Sequence, residues 1–235
     1  MTGLLRYHWS SYIRSHRYIP PLTLFILTLV VNYAYKPNPI IASYSFTALM
    51  LFLLMGWFTI TIFHAEDMGQ QQITLMHAKS QTLYHVSLIF VCLFIAFCLS
   101  VLSTAYPIVF DTFGASVSPI HGLLGFLAHF SLATLSISLC VLFTRGIVRK
   151  KENTWWGVLF VLVLSIAVVT LKKSILPEAF IWFMPPLHLS LDMMSVEDTI
   201  TSIPSLFYWQ FGWIFLYGAV VIGLFFILLR KKQAF

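Results

Sequence analysis

Eight histidines, three cysteines and eight carboxylates are the side chains of this 235-residue chain best equipped for chemistry. Their spacing assembles no catalytic pattern. His64, His77 and His85 flank one polar stretch, while His121 and His129 share one apolar run. A bis-histidine haem site needs two histidines facing each other at matched depth on different helices, and His129 has no deep partner of that kind. Cys92, Cys98 and Cys140 lie within apolar runs and fit no disulfide or metal-ligand spacing; they read as small packing residues. The chain has no G-x-x-x-x-G-K-[ST] loop for ATP phosphates, no H-E-x-x-H and no G-x-S-x-G. No Asp, Glu, Lys or Arg sits deep in an apolar run, which argues against a carrier driven by protons or sodium, because such carriers use buried ionisable groups. The polar groups left inside the runs are His129, Asn32, Gln210 and scattered Ser and Thr such as Ser136. The expectation is a protein with no catalytic residue, no metal ligand set and no cofactor of its own.

Composition explains where these residues must sit. The chain is 59% hydrophobic and 9% charged, with a mean hydropathy of +0.88, whereas soluble domains are about a quarter charged. Apolar runs at 19–35, 42–63, 84–108, 122–144, 155–171 and 206–229 each approach or exceed the roughly 20 residues that cross a bilayer. Lipid supplies no hydrogen-bond partners, so each run must be a helix, and their continuous apolar character excludes the alternation of barrel strands. The predicted fold is all-α: a polytopic membrane protein of six transmembrane helices. With the N-terminus inside, eleven Lys and Arg lie on the inner side and only Lys36, Lys172 and Lys173 on the outer side. That positive-inside bias predicts a multi-pass cell-membrane protein with both termini cytoplasmic. It also accounts for the net charge of +6 without a nucleic-acid partner.

Residues 1–18 form the first predicted unit, an amphipathic interfacial helix. Leu5, Trp9, Tyr12 and Ile13 fall on one face and Arg6, Ser10, Arg14 and Arg17 on the other, the pattern of a helix lying among lipid headgroups. Residues 19–235 form the six-helix domain. Between its second and third spans, residues 64–83 make a polar island carrying Glu66, Asp67 and Lys79 and the amides of Gln70, Gln71, Gln72 and Gln81. Its second half has helical periodicity, with Ile73, Met76 and His77 on one side. Such a loop suits a protein worked by a cytoplasmic partner.

Three further features bear on packing and access. Gly125, His129, Ala133, Ser136 and Cys140 make a small, weakly polar stripe, and Ala219 and Gly223 form a small-xxx-small pair. Faces of this kind let helices approach closely, within a chain or between protomers; a substrate path is the sharper reading of the first. The outer segment 172–205 contains an apolar stretch from Pro177 through Trp182 to Pro185 and Pro186, too short to span, which is expected to dip into or lie on the outer leaflet. Ser195 and Asp198 have capping-box spacing, predicting a second short helix after it.

These features together resemble permeases of the ABC-2 type, the membrane halves of exporters of peptides, bacteriocins and polysaccharides. The most specific match is Ala65–Met76, A-E-D-M-G-Q-Q-Q-I-T-L-M, which is similar to the family's acidic-x-x-Gly-x-x-x-x-Leu stretch before its coupling helix. The resemblance implies that Glu66, Asp67, Gly69, Gln72, Met76, His77 and Lys79 couple to a separate cytoplasmic ATPase present in two copies. That subunit would carry ATP–Mg, and a second, identical permease protomer would complete the pathway. It implies that Pro177, Trp182, Pro185 and Pro186 belong to extracellular re-entrant helices. His129, Ser136, Asn32 and Gln210 are the candidate path residues, and an amphipathic or hydrophobic substrate such as a toxic peptide fits a tunnel poor in charge. Two readings from other classes stay open: a sensor or immunity protein that binds a peptide at its outer segment, and a membrane enzyme acting on lipid. A haem-export permease would share the architecture.

Overall fold

The computed structural model describes residues 1–78, 80–148, 150–171, 184–195, 197–200 and 202–233. Among these the regular secondary structure is all helical, and one isolated β-bridge joins Asn38 and Phe113. The helices are α1 (Thr2–Arg14), α2 (Ile19–Asn32), α3 (Ile40–Phe63), α4 (Met68–His77), α5 (Gln81–Val109), α6 (Pro119–Val141), α7 (Lys151–Leu171), α8 (Leu187–Met193) and α9 (Ser205–Gln233). Five of them, α3, α5, α6, α7 and α9, contain stretches long and apolar enough to cross a membrane. This is the architecture of a polytopic membrane protein. The remaining run expected to span, 19–35, forms the 14-residue helix α2, about 21 Å long at 1.5 Å per residue against a hydrocarbon core of about 30 Å. Pro20 and Pro21 open it, where a missing N–H is tolerated.

The bundle is built around α3 and α6. Of their apolar windows 72% and 78% are buried inside the protein, against 28% for both α7 and α9. The small-residue stripe explains how the two central helices approach. Tyr44 of α3 lies flat over Gly125, where an added Cβ would stand 2.9 Å from the ring, and a Cβ on Gly56 would stand 3.2 Å from Cys140 Sγ. Between these points the His129 Nδ1–H donates to the Gly125 carbonyl at 2.7 Å. The ring's Nε2 therefore accepts, and Thr47 Oγ1 meets it at 2.9 Å. Residues 44, 47 and 56 thus match 125, 129 and 140 in rising order, so α3 and α6 run side by side in the same direction. By contrast, Ala219 and Gly223 lie exposed on the outward face of α9.

At the end of the bundle far from α4, one carboxylate replaces a missing cap. α3 begins after Pro39, whose side chain offers no acceptor. Asp198 supplies it from 157 and 158 residues away, accepting from Ile40 N at 2.9 Å and Ile41 N at 2.8 Å. His121, in the first turn of α6, accepts the Ser118 N–H at Nδ1. Its Nε2–H consequently donates to the Asp198 carbonyl at 3.0 Å. The predicted capping box at Ser195 and Asp198 does not form: Ser195 Oγ donates to the Asp192 carbonyl at 2.6 Å, just beyond the end of α8, and Asp198 is drawn to the exposed N–H groups of α3. Pro185 and Pro186 precede α8, a helix buried through Leu187, His188, Ser190 and Met193. Pro177 and Trp182 lie outside the described residues.

A carboxylate across the first turn of a helix contributes about 1–2 kcal/mol through its hydrogen bonds and the helix dipole. Asp198→Ala is expected to destabilise the detergent-solubilised protein by about that much, and Asp198→Asn, which keeps one acceptor, by less. Thermal unfolding of the three proteins checks this; an unchanged Asp198→Ala midpoint would remove the cap from the account.

Candidate functional site

The candidate site is the polar island 64–83 and its supports. α3 ends at Phe63, and three residues further on the chain turns Glu66 inward and then Asp67 outward. Asp67 accepts from Gln70 N at 2.7 Å and so starts α4. Glu66 goes the other way and is only 4% exposed. Tyr84 OH, in the first turn of α5, donates to its Oε2 at 3.0 Å, and His8 Nδ1 of α1 lies 3.7 Å from Oε1. The His8 ring stands edge-on to Tyr84, centroids 4.8 Å apart at 81°. From the α6–α7 turn, Arg145 Nη1 donates to the Glu66 carbonyl at 3.1 Å and Arg145 N–H to His64 Nε2 at 3.1 Å. Arg17 donates to the His64 carbonyl.

Two tyrosines of α1 complete the attachment. The Tyr12 hydroxyl and Thr61 Oγ1 share a hydrogen bond at 2.9 Å, and Thr61 Oγ1 also lies against backbone carbonyls of its own helix. Tyr7 OH accepts from Gln70 Nε2 at 3.0 Å and from Thr74 Oγ1 at 3.3 Å. The α3–α4 connection is therefore held by α1, α5 and the α6–α7 turn together. A carboxylate taken out of water costs several kcal/mol unless it is hydrogen-bonded; the Tyr84 bond at Oε2 offsets part of that cost, while Oε1 is buried without a hydrogen-bond partner among the described residues.

Burial, and after it the neighbouring His85, push the His8 imidazole down to about 4. At neutral pH the ring is uncharged, and its approach to Glu66 is a contact of a neutral ring with a carboxylate. Burial likewise raises the Tyr12 phenol above its ordinary value, which keeps its donor proton in place.

α4 itself presents its surface outward. None of its ten residues is buried; Asp67, Gly69, Gln72, Met76 and His77 are exposed. Met68, Ile73 and Met76 are 67%, 56% and 77% exposed, a density of bare apolar side chains unusual on a helix so rich in glutamine. Lys79 lies outside the described residues. Glu66, which its motif groups with the docking residues, faces the interior and can act on a partner only through the loop it anchors. On α1, Arg6 and Arg14 are exposed, and Trp9 packs edge-on against Phe94 of α5. The fully buried residues of α1 are His8 and Tyr12; of the predicted apolar stripe, Leu5 packs against the core and Ile13 is exposed.

The four candidate path residues are not brought together. His129 and Ser136 are fully buried in α6, with Ser136 Oγ 4.0 Å from Cys140 Sγ. Asn32 ends α2 and Gln210 lies in the second turn of α9, both half-buried. Among the described residues no hydrogen bond joins any two of the four, and no cluster of three His, Cys, Asp or Glu could hold a metal ion. Sequence reading missed His8, Tyr84, Arg145 and His64 as partners of the Glu66 loop. One signal was present, since His8 and Tyr12 stand four residues apart on one face of α1. Comparison of the chain with protein-family models, curated proteins and solved structures finds no match.

The His8 environment sets a pH dependence. The unfolded chain takes up a proton near 6.5 and the folded one only near 4, so stability falls as the pH drops through that window. Between pH 7 and pH 5 the wild type is expected to lose about 2 kcal/mol from this group, and His8→Phe correspondingly less. Equal losses in both proteins, read from thermal unfolding, would show that His8 does not carry the effect.

Proposed function

We propose that the chain is the permease subunit of an ATP-driven exporter of the ABC-2 type, worked by a separate cytoplasmic ATPase that docks on α4. The observation that carries this reading is α4 itself: a helix with no buried residue and three bare apolar side chains, tied at its base to α1, α5 and the α6–α7 turn. A free-standing apolar ridge on a membrane protein is a docking surface, and its rigid base is what would let a partner's movement reach the bundle.

The rest of the reading is consistent with this. α2, a 14-residue helix shorter than the five long apolar helices, would be the first of six spans, tilted little and flanked by the interfacial helix α1. The basic end, with α1, α4, the α6–α7 turn and the end of α9, would face the cytoplasm by the positive-inside rule. Two ATPase subunits carrying ATP–Mg would serve two identical protomers. The partner can move the permease only if its nucleotide states hold α4 in different geometries. The substrate would be amphipathic or hydrophobic, a toxic or antimicrobial peptide, because charged side chains are scarce along the spans.

Purification in mild detergent tests this directly. The wild type is expected to bring down a soluble ATPase and its activity. Met68→Glu combined with Met76→Glu, both surface changes that leave the bundle intact, should reduce the recovered activity about tenfold or more. Glu66→Ala should reduce both recovery and stability. A wild-type preparation free of ATPase, or a double variant that recovers as much as the wild type, would sink the exporter reading.

A further inference from the structure

We propose that the cleft between α4, the start of α5, the α6–α7 turn and the end of α9 binds the phosphate headgroup of an anionic phospholipid. The cleft holds about 390 Å³. Arg145 and Lys232 bring positive charge to it, and Gln71, Gln72 and Gln81 bring amide donors. Among the described residues lining it there is no carboxylate. The two acidic groups of the adjoining loop are engaged elsewhere, Glu66 by Tyr84 and Asp67 at the cap of α4.

The cations are held in place by the fold. Lys232 Nζ donates to the Gly146 and Ile147 carbonyls at 3.0 and 3.2 Å, and Arg145 Nη1 to the Glu66 carbonyl at 3.1 Å. Leu75 and Leu229 supply an apolar wall, suited to the glycerol and the first methylenes of a lipid.

Depth decides the occupant. Gln81 and Leu229 belong to the first turn and the last turns of two helices long and apolar enough to cross a membrane, so the cleft stands where phosphates meet the hydrocarbon. Basic pockets between spanning helices at that level attract anionic headgroups. An acidic segment of a soluble protein would have to leave water to reach it, whereas a headgroup is already there. The inference needs the membrane-embedded bundle and not the exporter reading.

Full-length protein in nanodiscs of phosphatidylcholine, with or without phosphatidylglycerol, provides the test. Phosphatidylglycerol is expected to raise the unfolding temperature and, in native mass spectrometry, to be retained about tenfold more than phosphatidylcholine. Lys232→Gln should lose most of that preference. Gln81→Glu should lose it too while staying folded, because a carboxylate in the first turn of α5 suits the helix dipole. Equal retention of the two lipids by the wild type, or an undiminished preference in Gln81→Glu, would overturn the proposal. So would full stabilisation by glycerol 3-phosphate or inorganic phosphate in pure phosphatidylcholine, which would make the ligand a soluble phosphate. Stabilisation by a poly-glutamate peptide and not by phosphatidylglycerol would assign the cleft to an acidic protein segment instead.

Discussion

One buried carboxylate organises the basic end of this protein. Glu66 sits where α3 has ended and α4 has not begun, and by turning inward it obliges three distant segments to come to it. Tyr84 supplies a hydroxyl, His8 an uncharged ring, and Arg145 binds the backbone of the same residue. Because α4 buries nothing of its own, its position follows from this anchor, from the Asp67 cap and from the two bonds to Tyr7. The helix is thus anchored inside the fold at its base and uncovered along its length. The dry surroundings that make an unpaired Glu66 costly also make the paired arrangement specific.

α3 is held at both of its ends. Its last turn is held through Tyr12 and Thr61 and its C-cap residue His64 by Arg145 and Arg17, while its first turn is held by Asp198 at the opposite end. Between them it lies against α6 along a seam where Gly125 leaves no room for a side chain. His129 on that seam satisfies both ring nitrogens locally, as a polar side chain among apolar helices must. A close-packed seam does not deform continuously; displacement of α4 would therefore shift α3 and α6 as a unit against the less enclosed α7 and α9. Under the exporter reading that is the movement that would open a pathway.

The two ends are clasped by opposite groups. At the far end acceptors meet backbone N–H groups, with the Asp198 carboxylate at the start of α3 and His121 Nδ1 at the start of α6. At the basic end donors meet backbone carbonyls, with Arg17 at the C-cap of α3 and Lys232 at the α6–α7 turn. Both satisfy backbone groups that helix ends and turns leave unpaired.

What the amino-acid order alone determined was everything governed by local period and composition. Long apolar runs bounded by charge specified an all-helical membrane protein; the periodicity of Ile73, Met76 and His77 specified a helix in the second half of the polar island, and the Asp67 cap starts it earlier, at Met68; the spacing of Gly125, His129 and Cys140 specified a face for close approach. α2 was legible as apolar yet fell short in length, because the turn at Tyr33 closes it before the run is exhausted. Only the tertiary structure decided the partners. Asp198 carried the local signature of a capping box, and α3, 157 residues earlier in the chain, claimed its carboxylate. Glu66 carried the signature of a surface docking residue, and Tyr84, 18 residues on, drew it inside. Periodicity reports which face of a helix a residue occupies and carries no information about which distant helix will cover that face. Pairings at long separation are set by packing, and packing exists only once the bundle has formed.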